Sequence, residues 1–455
     1  MHIGEFADKK VLVVGMARSG VAAAKLLASA GIEVTINDSK SADELGDALK
    51  PLEGYALDRQ LGKAAMECLE GKDILVLSPG IPDKAAFVVK AKEMGIRVIA
   101  EIELAYEMSD GEMVAITGTN GKTTTVTLLN QIFLDAGFRS QAVGNIGYPY
   151  AEGVMGEKTG DRYVCECSSF QMETVDGFHP RAAALLNITE DHLNRHGTMA
   201  EYTRLKMRMF EKQTAADYAV FNGDDPALAG LDGQVRSRTL FFSRKGEVEN
   251  GCFLRGDTVV FRLDGKETEI IDRREIYIPG PHNLENAMAA VCLAMVSGIS
   301  AESMAQTLRT FKGVEHRIEF TRELRGVRYY NDSKGTNVDS TVCAVRTMDR
   351  PTVIILGGSD KHCDFTPLAK SMLASDNIRE AVLIGVTAQQ IEDTFKTNGY
   401  TAITRASSME DAVKKATDLA SEGWNVLLSP ACASFDMFHD YEERGRIFKE
   451  IVRSL

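Results

Sequence analysis

Short apolar runs separated by glycine or polar turns recur along this chain, and most of them lead into a stretch with helical periodicity. Strands that alternate with helices predict largely parallel sheets, with functional side chains at the carboxyl ends of the strands. We predict strands near residues 11–14, 33–37, 73–77, 97–99, 113–117, 163–167, 182–187 and 218–222, and again near 327–331, 352–356, 380–385 and 424–429.

The pattern changes after residue 245. Polar and apolar residues alternate in GCFLRGDTVVFRLDGKETEIIDRREIYIPG, which is typical of antiparallel hairpins. A helix rich in small residues is predicted from Asn283 to Ser297. A third α/β region begins near Gly313 and ends in a helix that closes at Leu455. We therefore place domain boundaries near residues 100 and 313.

Composition excludes several classes of function. The chain has 455 residues, too many for one hydrophobic core, and its 44% hydrophobic content is that of a folded protein. A net charge of −13 without a basic run argues against nucleic acid and anionic membranes as partners. No segment has 18 uninterrupted apolar residues, and the eight cysteines are scattered. We expect a cytoplasmic protein with reduced thiols, and we take it to be a monomer.

The stretch ITGTNGKTTT, residues 116–125, has the order of a phosphate-binding loop. A strand leads into a glycine turn, then Lys122 and Thr123, then a helix whose N-terminus faces the anion. Lys122 is expected to bridge phosphates and Thr123 to ligate Mg²⁺. The spacing departs from the usual GxxxxGK-[ST], because the first glycine of that pattern would fall at Ile116 and only Gly118 is present. We predict a Rossmann-like domain (1–100), a central P-loop ATPase α/β domain with a small antiparallel portion (101–313) and a second Rossmann-like α/β domain (314–455).

A second nucleotide-like turn lies in the first region. GMARSG, residues 15–20, follows a strand, and Asp38 ends the next strand, which is the order of a dinucleotide-binding unit. Ala17 replaces the middle glycine, and its methyl group hinders approach to a pyrophosphate. Arg18 and Ser19 add donors that a dinucleotide turn does not require. A dehydrogenase is therefore disfavoured here but stays open.

Three further residues are candidates for chemistry, each with an ordinary alternative. Glu166 in ECSSFQME ends a strand beside the phosphate loop and suits Mg²⁺, although a salt bridge would also explain it. His192 in NITEDHLNRH lies in a loop after a strand, where it is either structural or functional. Lys206 is by itself a solvated or phosphate-facing lysine.

The whole chain resembles the Mur ligase family of bacterial cell-wall synthesis on eight motifs in family order: GTNGKTTT, ECSSFQME, NITEDHLNRH, PGPHNLENAMAA, GVEHRIEF, NDSKGTN, LGGSDKHCDF and SPACASFDMF. NDSKGTN and SPACASFD are similar to the members that add D-glutamate. The resemblance implies ATP-dependent addition of D-glutamate to UDP-N-acetylmuramoyl-L-alanine through an acyl phosphate. A folylpolyglutamate synthase would lack these two stretches, and a non-catalytic nucleotide-binding protein would lack Lys122, Glu166 or His192.

The resemblance also implies binding residues. The sugar nucleotide would contact Arg18, Ser19, Gly20, Asp38, Ser78, Pro79, Gly80 and Asn145. ATP would contact Gly118, Thr119, Asn120, Gly121, Lys122, Thr123 and Thr124, with Asn283 and Asn286 on the adenine side and His316, Arg317, Asp332 and Lys334 closing from the third domain. D-Glutamate would contact Thr336, Lys361, Ser434 and Tyr441, the last of which is often phenylalanine in relatives.

Two Mg²⁺ ions and a modified lysine are implied as well. Thr123, Glu166, His192 and Lys206 would hold the metals, and Lys122, Glu166, His192 and Lys206 would be the catalytic set. The family's matching lysine is carbamylated by CO₂, so Lys206 would supply oxygen ligands. Only a neutral amine captures CO₂, and we expect nearby cations, with Arg204 and Arg208 as candidates, to depress its pKa.

Overall fold

Three β-sheets organise residues 3–359 and 363–455, which are the part of the chain that the computed structural model describes. Two sheets belong to one unit, which runs to Ile276 and includes Glu285–Thr310. The third sheet belongs to a second unit, Tyr277–Leu284 with Phe311–Leu455. The predicted α/β fold is confirmed, while the domain boundaries near residues 100 and 313 stay a prediction. Lys361 lies outside the described residues.

The first sheet is parallel throughout, with the order β3-β2-β1-β4-β5 of a Rossmann-like domain. Its central strand is apolar without alternation because helices and turns cover both faces. The chain leaves β1 toward β2 on one side and later enters β4 on the other, so the turn after β1 lies at a switch point. The elements are β1 Lys10–Val14, α1 Arg18–Ser29, β2 Glu33–Asp38, α2 Ala42–Leu45, β3 Asp58–Leu61, β4 Ile74–Leu77, α3 Ala86–Glu93, β5 Arg97–Ala100 and α4 Glu101–Met108.

The second sheet has the order β14-β13-β12-β11-β10-β9-β6-β8-β7. Strand β6 lies between β8 and β9, and the chain continues from it to opposite sides, which creates a second switch point. The hairpins predicted after residue 245 are confirmed as β12–β14. The elements are β6 Glu112–Thr117, α5 Lys122–Asp135, β7 Ser140–Gly144, α6 Tyr150–Val154, β8 Arg162–Glu166, β9 Ala182–Leu185, α7 Leu193–His196, α8 Met199–Met207, β10 Tyr218–Asn222, β11 Arg238–Ser243, β12 Gly251–Arg255, β13 Thr258–Leu263, β14 Lys266–Asp272, α9 Pro281–Val296 and α10 Ala301–Thr310.

The third sheet has the order β15-β16-β20-β17-β18-β19 and is parallel except for β15, which pairs antiparallel with β16. Buried aliphatic residues cover both of its faces. The elements are β15 Glu319–Leu324, β16 Val327–Asn331, α11 Val338–Thr347, β17 Thr352–Leu356, α12 Thr366–Leu373, β18 Ile378–Leu383, α13 Ala388–Thr397, β19 Ile403–Arg405, α14 Met409–Leu419, β20 Asn425–Leu428 and α15 Tyr441–Ser454.

Two expectations about the environment of the chain can be compared with this structure. All eight cysteines fall in the described ranges, and all are free thiols. Within the same ranges, none of the helices combines the length and the hydropathy that a membrane-spanning segment needs.

Candidate active site

The phosphate loop connects β6 to α5 at the switch point of the second sheet. Gly118 and Gly121 both have positive φ, and a Cβ at Gly121 would lie 2.3 Å from Asn286 Oδ1. The Lys122 amine folds back over the turn and donates to the carbonyl oxygens of Gly118 and Thr119, each at 2.9 Å. The loop therefore has the shape that its sequence predicts, with Asn286 packed against it.

Asn187, a residue that the sequence reasoning missed, holds the loop from the end of β9. Its Oδ1 accepts from Asn120 N at 2.8 Å, its Nδ2 donates to Asn120 O at 3.0 Å, and its carbonyl accepts from Thr119 N. Thr119 Oγ1 also lies 3.3 Å from Tyr202 Oη. The neighbouring Thr124 is buried. Asn187 begins the motif NITEDH, so its place directly after a strand was the available signal.

A buried carboxylate lies beside the start of α5. Glu166 ends β8, and its Oε2 accepts from Thr123 Oγ1 at 2.9 Å. Its Oε1 accepts from Asn145 Nδ2 at 2.8 Å. The structure thus brings together two predicted metal ligands and a predicted substrate residue. Hydroxyl and carboxylate oxygens are the donors that Mg²⁺ prefers.

Lys206 is buried, with 1% of its surface exposed, and its amine shares an acceptor with Lys122. Its Nζ donates to Gly118 O at 2.8 Å and lies 4.5 Å from the centre of the Tyr202 ring. Burial lowers the pKa of the amine well below its usual range, and the charge of Lys122 lowers that pKa further. The solvated reading of Lys206 is therefore wrong.

The cations that we expected to depress the pKa of Lys206 are engaged elsewhere. Arg204 is exposed and pairs with Glu201, with Nε to Oε2 at 2.8 Å. Arg208 donates to the backbone carbonyls of Met172 and Glu173. At two-residue helical spacing neither shares the face of Lys206. The two candidate arginines were therefore wrong: burial lowers this pKa most, and the nearby cation that lowers it further is Lys122.

His192 lies in the loop between β9 and α7 with a φ of 53°. Its side chain is 47% exposed, and its ring centre is 4.8 Å from that of Phe170. Among residues 3–359 and 363–455, neither Glu166 nor His192 belongs to a group of three His, Cys, Asp or Glu side chains whose ligand atoms are close enough to hold one metal ion. The role of His192 at a second Mg²⁺ stays a prediction.

The turn after β1 is closed by contacts from β2 and β4. Ser78 Oγ donates to Gly15 O at 2.7 Å, and Asp38 Oδ2 accepts from Met16 N at 2.7 Å. A Cβ at Gly20 would lie 1.8 Å from Gly15 O, so only glycine permits α1 to approach the turn this closely. The structure thus gathers Gly20, Asp38 and Ser78 around one turn, with Ser19 next to Gly20 and with Pro79 and Gly80 following Ser78.

A cavity of about 580 Å³ adjoins this turn. Arg18 and Lys25 of α1 line one side of it, and Tyr148 and Glu152 line the other. Its volume lies within the range of small-molecule sites. Arg18 is thus at the edge of an open space, while Asn145 lies on the loop that leads to Tyr148.

In the second unit, two of the predicted nucleotide residues lie beside the aromatic ring of Tyr441, a predicted amino-acid residue. Tyr441 lies edge-on to His316, with ring centres 6.2 Å apart, and Lys334 Nζ lies 5.5 Å from the Tyr441 ring centre. Thr336 N donates to Lys334 O at 2.8 Å. Ser434 is buried in the loop after β20.

Asp332 and Arg317 extend this group. Burial raises the pKa of Asp332 to about 6, although Ser429 Oγ donates to its carboxylate at 2.7 Å and the positive charge of Arg317 lowers that pKa. Asn283, also in this unit, donates to Pro279 O at 2.7 Å. The predicted residues around NDSKGTN and GVEHRIEF are therefore brought together by the fold.

Arg444 is a second residue that the sequence reasoning missed. Its guanidinium is buried, and it donates to both Ser333 Oγ and Ser333 O, at 2.9 and 2.7 Å. It also donates to the carbonyls of Cys432 and Ala433. Arg444 thereby joins the NDSKGTN loop to the SPACASFD loop. Nothing local distinguishes it from the other arginines of α15.

This site defines a class of protein, the P-loop nucleotide-binding α/β proteins. Its defining features are the phosphate loop, the carbonyl of Gly118 that accepts from both Lys122 and Lys206, and the contact between Thr123 and Glu166. Comparison with known families narrows that class. The Mur ligase middle domain matches residues 116–294, the Mur ligase MurD-like N-terminal domain matches 9–100, and the Mur ligase glutamate ligase domain matches 316–432. The chain belongs to the Mur ligase family.

Individual relatives extend along the full chain. The UDP-N-acetylmuramoylalanine–D-glutamate ligase of Thermoanaerobacter pseudethanolicus is 46% identical over 453 residues, which are 99% of each chain. A pseudomurein peptide ligase type C from Methanothermus fervidus has a TM-score of 0.61 at 19% identity, covering 98% of this chain and 100% of that one. A MurF ligase from Thermotoga maritima in complex with ADP has a TM-score of 0.58 at 18% identity, covering 84% and 95%. Both structures share the fold.

Proposed function

We propose that this protein is an ATP-dependent ligase that joins D-glutamate to UDP-N-acetylmuramoyl-L-alanine and forms ADP and phosphate. The observation that carries the proposal is the phosphate loop, where Lys122 covers the turn and Thr123 contacts the buried Glu166. The 46% identical relative named for this reaction supports the choice of substrates. A place in peptidoglycan synthesis, in the cytoplasm and as a monomer, belongs to the same proposal.

The reaction needs activation because a carboxylate is a poor electrophile. The L-alanyl carboxylate attacks the γ-phosphate of ATP and becomes an acyl phosphate, with ADP as the leaving group. The D-glutamate amine then attacks the acyl carbon, and phosphate leaves through a tetrahedral intermediate. Repulsion between the attacking carboxylate and the triphosphate is the main electrostatic obstacle. The Lys122 ammonium, held at the loop by two carbonyls, offsets part of it.

Mg²⁺ fits the donor set beside the loop. Thr123 Oγ1 and Glu166 Oε2 are 2.9 Å apart, and both are hard oxygen donors. His192 and a carbamylated Lys206 would complete the set for two ions. Bound Mg²⁺ supplies positive charge next to the transferred phosphoryl group.

Lys206 fits carbamylation on two observations. Its amine is buried, and its depressed pKa favours the neutral form that reacts with CO₂. In the unmodified protein the amine donates to Gly118 O, beside the loop that would carry the phosphates. The carbamate would turn this donor into an oxygen ligand.

The other candidate residues keep the roles that the family resemblance implies, as proposals. His316, Arg317, Asp332 and Lys334 are assigned to the nucleotide, together with Asn283 and Asn286 of α9. Thr336, Ser434 and Tyr441, with Lys361, are assigned to D-glutamate. Arg18, Ser19, Gly20, Asp38, Ser78, Pro79, Gly80 and Asn145 are assigned to the sugar nucleotide.

One assay tests the function as a whole. ADP release is followed with UDP-N-acetylmuramoyl-L-alanine, ATP and Mg²⁺ while the amino acid is varied. We expect turnover with D-glutamate, none with L-glutamate and none without the sugar nucleotide. Turnover with a folate-type acceptor, or an equal rate with both glutamate enantiomers, would contradict the proposal.

A further inference from the structure

Arg195 connects the two halves of the first unit through a set of contacts that the proposed reaction does not use. It lies in α7, three residues after His192. Its Nη1 donates to Pro79 O at 3.0 Å and its Nη2 donates to Ile81 O at 3.1 Å, both in the loop after β4. Its Nε and Nη2 also donate to Glu173, at 2.8 and 2.6 Å.

The partner carboxylate belongs to the same connection. Glu173 lies in the turn after β8, and its side chain is 7% exposed, against 15% for Arg195. Its Oε2 also accepts from Asp83 N at 3.3 Å. The Arg195–Glu173 ion pair, which lies next to the second sheet, therefore binds two carbonyls and one amide of the segment 79–83. We call this set the Arg195 clasp.

The Arg195 clasp also contacts the surroundings of His192. The guanidinium carbon of Arg195 lies 4.1 Å from the centre of the Phe170 ring. The same ring is 4.8 Å from His192 and 5.4 Å from His196, centre to centre. Phe170 thus packs against the clasp and against the proposed metal ligand.

We propose that Arg195 is a positioning residue that sets the loop Ser78–Ile81 against the loop carrying His192. The inference rests on the proposed function, in which the first loop binds the sugar nucleotide and the second lies beside the transferred phosphoryl group. Arginine suits the task because its planar fork binds the carboxylate in bidentate fashion while other N–H groups reach carbonyls. A lysine cannot make all of these contacts at once.

Hydrogen–deuterium exchange tests the clasp without any assumption about activity. We compare Arg195→Met, which keeps much of the aliphatic stem, with Arg238→Met, which breaks an exposed ion pair with Asp264. The backbone amides of Gly80, Ile81 and Asp83 should exchange at least tenfold faster in Arg195→Met and at the wild-type rate in Arg238→Met. Glu173→Gln should also raise the exchange rates of these amides. Unchanged exchange in Arg195→Met, with the fold intact elsewhere, overturns the proposal.

Steady-state kinetics separate positioning from packing. A small misplacement of reacting groups costs up to about a hundredfold in rate. At saturating substrates we expect the kcat of Arg195→Met to fall about 10- to 100-fold. The KM for ATP should stay within about twofold of the wild-type value, because the substitution leaves the phosphate loop unchanged. Arg195→Lys should recover little of the lost kcat. Faster exchange with an unchanged kcat would mean that Arg195 only packs, and would overturn the proposal. If wild type shows no ligation, the proposed function fails, and exchange alone decides on the clasp.

Discussion

Glu101 offers a test of the physical reasoning at a site away from the phosphate loop. It is the first residue of α4, is 1% exposed, and accepts from Ala151 N at 2.7 Å, at the start of α6. Burial raises the pKa of this carboxyl from 4.5 to about 7, against the lowering effect of the Ala151 and Tyr150 N–H groups. The change is Glu101→Gln, which keeps the shape and one acceptor oxygen.

The sign of the effect follows from proton binding. Between pH 4.5 and about 7 the folded state holds a proton on Glu101 that the unfolded chain releases. The contribution of Glu101 to the free energy of unfolding therefore falls as pH rises through this window, by about 3 kcal/mol. Glutamine carries no such proton. The unfolding free energy of Glu101→Gln relative to that of wild type should therefore rise by about 2 to 3 kcal/mol between pH 5 and pH 8.

Urea unfolding at pH 5, 6, 7 and 8 measures this difference. Circular dichroism follows the unfolding of the whole chain. The pH-dependent gain should appear in this signal. Glu152→Gln, at an exposed position of α6, is the control and should change stability by less than about 0.5 kcal/mol. A constant difference between Glu101→Gln and wild type across the four pH values would refute the reasoning.

Three further outcomes are expected. Lys122→Ala should lower the ligation rate by about 100-fold or more with the circular dichroism spectrum unchanged, since the lysine neutralises phosphate charge; near-normal turnover would remove the ATP-site assignment. Lys206→Ala should lose most activity and partly regain it with acetate, while Lys206→Arg should stay inactive, because a carboxylate and not a cation is needed at that position; wild-type rates in Lys206→Arg would refute the carbamate. UDP-N-acetylmuramoyl-L-alanine should raise the Tm by binding to the folded state, while millimolar NAD or NADP should not. A Tm shift with NAD but not with the sugar nucleotide would instead indicate that the turn after β1 binds a dinucleotide, as in a dehydrogenase.

In the part of the chain that the structure describes, the local sequence pattern identified every interior strand except β11, but it missed four of the six edge strands. The strands β1, β4, β17 and β20 are buried on both faces, so each is a continuous apolar run that stands out in the sequence. The prediction missed β3, β7, β11, β15 and β19, and all of these except β11 are edge strands. Edge strands pack on fewer neighbours, so polar residues are tolerated there and no apolar run marks them. The segment DRQL of β3 is an example.

The sequence by itself determined the parts of the site that are consecutive in the chain. Gly118, Gly121, Lys122 and Thr123 act within one turn, where backbone geometry and spacing are enough to specify a phosphate loop. Only the tertiary structure decided which distant groups meet that loop, because strand order places Glu166 beside Thr123 and buries Lys206 against Gly118. Burial, in turn, sets the charge state of Lys206, since the cost of desolvating an ammonium depends on everything packed around it.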